Sequence, residues 1–309
     1  MSAHSLFTAY LLAAIALPAA AQNQALVQRL GYPADAKLLI IHADDLAVAH
    51  SQDAASFEAL DRGAVTSASI MVPCPWLTEV ADYAKAHPEA DLGLHLTLTS
   101  EWKTYRWGPI SSRDQVASLL DPHGYLYSDA GEAVRHITPE EAEREVRAQV
   151  QTALKMGIRP THLDSHMGTL FTKPALMAVL VNVAHEYHLP FLVLKIPGVP
   201  REMYSALQPT DVILDRVYMA APPIRPEDWL SYYTHILKTL PPGVSELIVH
   251  LAHDDAEMQA VTIDHPDYGT AWRQRDFNVM TSREFHQALE ENHIVLVNWR
   301  KLGALLPKP

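Results

Sequence analysis

The chain has 309 residues, 48% of them apolar and 19% charged, with 12 Gly, 22 Pro and 1 Cys. That balance excludes a disordered tail, a collagen-like repeat and a disulfide scaffold, and the length can bury one large core or two ordinary ones. With 24 basic and 36 acidic residues the net charge is −12, which excludes general attraction to nucleic acid or an anionic membrane.

The first 21 residues read as an export leader. The sequence is apolar or small from Leu6 to Leu17, then Pro18 precedes Ala19-Ala20-Ala21, a small-x-small cleavage site. The run is too short to span a bilayer. The expectation is cleavage after Ala21, a mature chain without a membrane span, and a periplasmic or extracellular location. Cys74, the single thiol, cannot form an internal disulfide and reads as a buried small hydrophobe. Residues 22–36 read as a lead-in and residues 37–309 as one domain.

Along that domain, strand-like and helix-like stretches alternate. Residues 37–41 predict a buried strand, 51–62 a helix, 64–72 a β-rich stretch, 76–87 a helix and 91–98 another strand. Such alternation argues for parallel βαβ units. Thr138, Pro139 and Glu141 form a capping box opening a helix to about Lys155. Thr281 with Glu284 reads as the same device for the last helix, before an apolar strand at 294–297. Residues 99–137 and 197–226 look irregular, and long insertions of this kind tend to rim a site. No fixed repeat or Gly/Ser linker divides the chain.

Three segments carry chemistry, each at a strand end. His42-Ala43-Asp44-Asp45 follows an apolar run, so the acidic pair belongs at the strand's carboxyl end, where parallel α/β folds place active sites. Both Asp side chains reach one site only if the chain curls there; read alone, Asp45 or Ser51 could equally cap the next helix. In Gly93-Leu94-His95-Leu96-Thr97-Leu98 the leucines share one face and His95 the other, inward in a barrel. In Thr161-His162-Leu163-Asp164-Ser165-His166, two His and an Asp share a face at period two. That trio is hard to bury unless it binds a cation or forms a polar network. Together the segments offer one carboxylate and two imidazoles, a set that suits Zn²⁺ or another first-row divalent ion better than Mg²⁺ and fits metal-assisted hydrolysis.

These three segments, in this order and spacing, resemble the signature motifs of the YdjC-like carbohydrate deacetylases, the chito-oligosaccharide deacetylase group. The resemblance runs from about Lys37 to the carboxyl end. It implies an α/β, distorted TIM-like (β/α) barrel of one domain that removes acetyl groups from N-acetylated sugars with one divalent metal ion, Zn or Mg. Carried over by position, Asp45, His95 and His166 would be the metal ligands and Asp44 the general base. In Glu246-Leu247-Ile248-Val249-His250, His250 would be the acid, with His253 as the fallback. Two departures stand out. The family's Phe-Gly after the acidic pair is Leu46-Ala47 here, strained if the loop needs positive φ, and Met167-Gly168-Thr169 replaces the further His that often follows the third motif.

Trp102, Tyr105 and Trp107 in the first insertion offer ring faces for a pyranose, or ordinary packing. Trp229, Tyr232 and Tyr233 have helical spacing and read as core. His162 and Asp164 are expected to support the ligands from behind. Arg273 and Arg275, beside Asp276, could brace a site carboxylate, with Arg275 expected behind the ligands, or could equally form a surface ion pair. Rival readings are a sugar-binding module without catalysis and a metal-dependent phosphoesterase, which would want a basic cluster that is missing near the motifs.

Overall fold

In the computed structural model, which describes residues 25–307, the strands are β1 Lys37–Leu46, β2 Ser67–Ile70, β3 Leu92–Leu96, β4 Leu163–Ser165, β5 Arg216–Met219, β6 Gly243–Val249 and β7 Ile294–Leu296. The leader, with its proposed cleavage point, lies outside the described residues. All strand pairs are parallel. They follow the order β4-β3-β2-β1-β6-β5, with β7 beside the start of β1. The sheet curls, and the gap between β4 and β5 is crossed by single parallel bridges from Leu163 to Phe191 and from Leu194 to Leu214. Helices such as His50–Asp61, Leu77–Ala86, Pro139–Lys155 and Pro174–Glu186 connect successive strands. The expected distorted (β/α) barrel in one domain is what the chain forms.

Burial on both faces explains why β1 is an apolar run rather than an alternating one. Leu39, Ile41 and Ala43 join the large core shared with the helices, whereas Leu38 and Ile40 point into the barrel with Val244, Trp299 and Leu302. Leu26 and Val27 of the lead-in pack on this inner cluster and cover the amino-terminal end of the strands. The other end is left to polar groups. Gly93 is needed on β3 because a Cβ there would lie 2.4 Å from the His162 ring.

Three expectations need correction. Residues 197–226 contain a strand, β5, which pairs with β6. The helix Arg283–Glu291 is capped by Ser282, whose Oγ accepts from Phe285 N–H at 3.2 Å, whereas Thr281 Oγ1 donates to Phe277 O of the preceding helix. That helix is followed by a further one, Trp299–Gly303. The capping box at Thr138 does open Pro139–Lys155, with Thr138 Oγ1 accepting from Glu141 N–H. Glu145 of this helix accepts from the N–H groups of Ile110 and Ser111 at 2.9 and 2.8 Å, which pins the long insertion over the barrel mouth.

Candidate metal and catalytic site

The site begins where β1 stops being a regular strand. Its register with β2 shifts between Ala43 and Leu46, and Asp45 and Ala47 have φ of 71° and 77°. This bulge turns Asp45 back toward the interior, so both adjacent carboxylates reach one cavity. Left-handed backbone at a non-glycine residue costs on the order of 1 to 2 kcal/mol. Neighbours hold it in place: Ala47 N–H donates to Asp53 Oδ1 at 2.6 Å, and Gln52 Nε2 donates to Asp44 O at 2.8 Å.

Three ligand-type atoms then converge. Asp45 Oδ1 lies 3.4 Å from His95 Nε2 and 3.3 Å from His166 Nδ1. Each imidazole is held from its far side: His95 Nδ1 meets Asp164 Oδ1 at 2.6 Å, and His166 Nε2 meets Glu101 Oε2 at 2.9 Å. Carboxylates at those positions take the ring N–H, so the near nitrogens present lone pairs to one another and to Asp45. Asp45 Oδ1 is buried and receives no hydrogen bond. Three acceptors facing one another with no donor between them fit a divalent cation, and oxygen with two imidazoles suits a first-row ion. Without one, a proton fills the role: burial opposes the charge on His166, but Glu101 and Asp45 outweigh it and push the imidazole up to about 10. Burial likewise opposes the Asp45 carboxylate, yet Arg273 and His166 hold it well below the usual range.

Below this trio lies a buried cation of the protein's own. Ser67 Oγ donates to Asp91 and Ser69 Oγ to Asp44, so both hydroxyls must accept from His42, at 2.9 and 3.0 Å. His42 therefore carries protons on both nitrogens. Burial works against that charge, but Asp164 and Asp44, 3.2 and 3.1 Å away, raise its pKa well above the ordinary value. The imidazolium thus aims Asp44 and Asp164 together. Glu246 sits on its other side at 3.7 Å; burial lifts this carboxyl to about 7, and its Oε2 has no partner.

Asp44 is 6% exposed and forms the floor of a cavity of about 780 Å³ that also exposes Asp45, His95, His166 and His250. His250 Nε2 is 3.9 Å from Asp44 Oδ2, its backbone N–H donates to Asp276 Oδ2 at 3.1 Å, and burial pushes its imidazole down to about 4. Trp229 and Tyr233 also donate to Asp276, so these core aromatics secure the end of β6. Arg273, 1% exposed, donates to Asp45 Oδ2 at 2.8 Å, to Gln52 Oε1 at 2.6 Å and to Tyr268 O at 2.6 Å.

The structure gathers Asp44, Asp45, His95, Asp164, His166 and His250 in one place and separates others from it. Arg275, two helix positions beyond Arg273, points to the other side and lies over the Trp229 ring; the carboxylate brace is Arg273. His162 sits a layer deeper, stacked on Trp299 and bonded to Thr161, without a hydrogen bond to the trio. His253 lies outside, 3.8 Å from Glu58. Of the insertion aromatics, Trp102 lines the cavity; Tyr105 bonds Val48 O and Trp107 bonds Thr99 O, both as packing. Glu101 and the structural role of His42 escaped sequence reasoning. Glu101 sits in an aperiodic segment with no signal, whereas His42 was visible as a polar residue at the end of an apolar run.

Comparison with known proteins agrees with this picture. The family described as YdjC-like protein matches residues 38–291. A carbohydrate deacetylase of Thermus thermophilus is 33% identical over 292 residues, 91% of this chain and 99% of that protein. One of Enterococcus faecalis is 30% identical over 271 residues, 86% and 98% of the two chains. A crystal structure from E. faecalis, described as a cellobiose-phosphate cleavage protein, superposes with a TM-score of 0.73 at 28% identity, covering 86% of this chain and 99% of that one. With its three strand-end motifs meeting in one cavity and a match over most of its length, the chain belongs to the YdjC-like family.

Proposed function

We propose that the protein is a metal-dependent carbohydrate deacetylase that hydrolyses the amide of N-acetylated sugars. The observation that carries this reading is the convergence of Asp45 Oδ1, His95 Nε2 and His166 Nδ1, with Asp45 Oδ1 buried and receiving no hydrogen bond. Those residues would hold the ion, and a bound divalent cation supplies Lewis-acid polarisation and a water of lowered pKa. The rest is the work of side chains. Asp44, with Oδ1 fixed by His42 and Ser69, offers Oδ2 to take the proton of the attacking water. His250, neutral at pH 7, is placed 3.9 Å from that oxygen to pass the proton from Asp44 to the departing amine. Arg273 keeps Asp45 ionised and Asp164 and Glu101 keep the imidazoles aimed. Trp102, 2% exposed, backs the cavity from beneath Arg273 and His265. The relatives named carbohydrate deacetylase support this substrate class. We further propose that residues 1–21 direct export.

The test is acetate release from N-acetylglucosamine oligomers with and without chelator. Release that chelator abolishes is expected. Sugar binding without release would instead favour a binding module, and phosphate release from aryl phosphates an esterase.

A further inference from the structure

We propose that the cavity also receives an aliphatic chain carried by the substrate, so that the preferred substrate is an amphipathic glycoconjugate rather than a bare sugar; this rests on the deacetylase reading. Every cavity-lining residue that the chain supplies between Phe171 and Ile248 is apolar except Tyr204, whose hydroxyl already accepts from Ile196 N–H at 2.9 Å. Val217 on β5 and Ile248 on β6 sit where a closed barrel would bury them completely. Both are only half-buried, as are Phe171 and Leu194, because their outer sides face the cavity beside the gap between β4 and β5. Met177 and Leu192 extend the wall. At the mouth, Met167, Ile196 and Met219 are 44%, 53% and 40% exposed, so the apolar wall continues to the cavity rim.

Sugar hydroxyls placed on this side would lose water without gaining partners. Methylene groups would gain at each step. The same cavity carries the polar groups Asp44, Asp45, His95, His166 and His250, so one ligand with a polar head and an apolar tail matches both. The volume of about 780 Å³ accommodates a ligand larger than one sugar ring with its acetyl group. The chain could be the acyl group that is removed or an alkyl group on the anomeric oxygen. Both present the same chemistry to the wall.

Two substrate series separate these sources: N-acylglucosamines with acyl chains of increasing length, and alkyl glycosides of N-acetylglucosamine with alkyl chains of increasing length. Binding is read by calorimetry and hydrolysis by amine release, for the parent and for Met219→Lys and Ile196→Lys, whose exposed positions tolerate charge. Affinity should rise up to about fourfold per methylene in one series until the chamber is full, and the Lys variants should flatten the rise. A rise in the acyl series assigns the chamber to the acyl group, and a rise in the glycoside series to the aglycone. No dependence on length in either series overturns the proposal. So does a parent that sediments as a dimer broken by Met219→Lys, since the mouth would then be an interface between copies. If chain-dependent binding occurs but neither series is hydrolysed, the chamber stands and the deacetylase reading fails.

Discussion

Replacing Arg273 by Met isolates the charge balance at Asp45. The guanidinium is buried and serves three acceptors, Asp45 Oδ2, Gln52 Oε1 and Tyr268 O, at 2.8, 2.6 and 2.6 Å. Met fills much of the volume but leaves a buried carboxylate whose Oδ1 already lacks a hydrogen bond. Removing one partner of such a pair costs about 3 to 5 kcal/mol. At about 2 to 4 °C per kcal/mol for a chain approaching this size, Tm should fall by roughly 6 to 20 °C in chelator-treated protein. Arg273→Lys keeps the charge but cannot fork to three acceptors, so its loss should be intermediate. Excess Zn²⁺ should narrow the deficit of Arg273→Met, because a dication then compensates Asp45. Calorimetry with and without chelator measures all of this. If Arg273→Met melts within about 2 °C of the parent, the guanidinium does not balance Asp45 and the reasoning fails.

Other substitutions separate the roles within the site. His95→Ala should abolish metal uptake, whereas Asp44→Asn and His250→Ala should retain it and lose about 10² to 10⁴ in turnover, as read by metal analysis beside amine release. Asp164→Asn, which removes the negative charge behind His95, should weaken metal binding about 10- to 100-fold in chelator competition. Glu246, lifted by burial from 4.5 to about 7, favours the folded state in its neutral form; that advantage is full below pH 4.5 and is lost as pH rises through 7. Glu246→Gln should therefore gain roughly 3 kcal/mol over the parent between pH 4.5 and 8, and an equal difference in urea denaturation at both pH values would refute this. Gly93→Ala drives a methyl into the His162 ring and should cost about 1 to 3 kcal/mol; unchanged stability would mean that the ring moves freely aside.

Much of the site was legible because strand periodicity carries it. Period two put His162, Asp164 and His166 on one face and His95 opposite a leucine row, and the curled sheet turns those faces inward. The requirement that the chain curl at Asp44-Asp45 is met by positive φ at Asp45 and again at Ala47. Contacts made by side chains from aperiodic segments left no such trace. Glu101 reaches His166 from the long insertion, and Arg273 rather than Arg275 faces Asp45 because one helix face was indistinguishable from another among charged residues. His162 shares the face of His166 but sits too deep to support it, a difference of height that periodicity cannot express. Strand β5 was hidden because its four residues lie half-exposed in a segment punctuated by Pro209, Pro222 and Pro223.

The most direct test of the central claim is the anomalous signal from a crystal of this protein equilibrated with Zn²⁺ and measured at the zinc edge. A single peak is expected about 2.0 to 2.2 Å from Asp45 Oδ1, His95 Nε2 and His166 Nδ1. No peak, or one among His42, His162 and Asp164, whose ligand atoms also lie within 4.8 Å of one another, would contradict it.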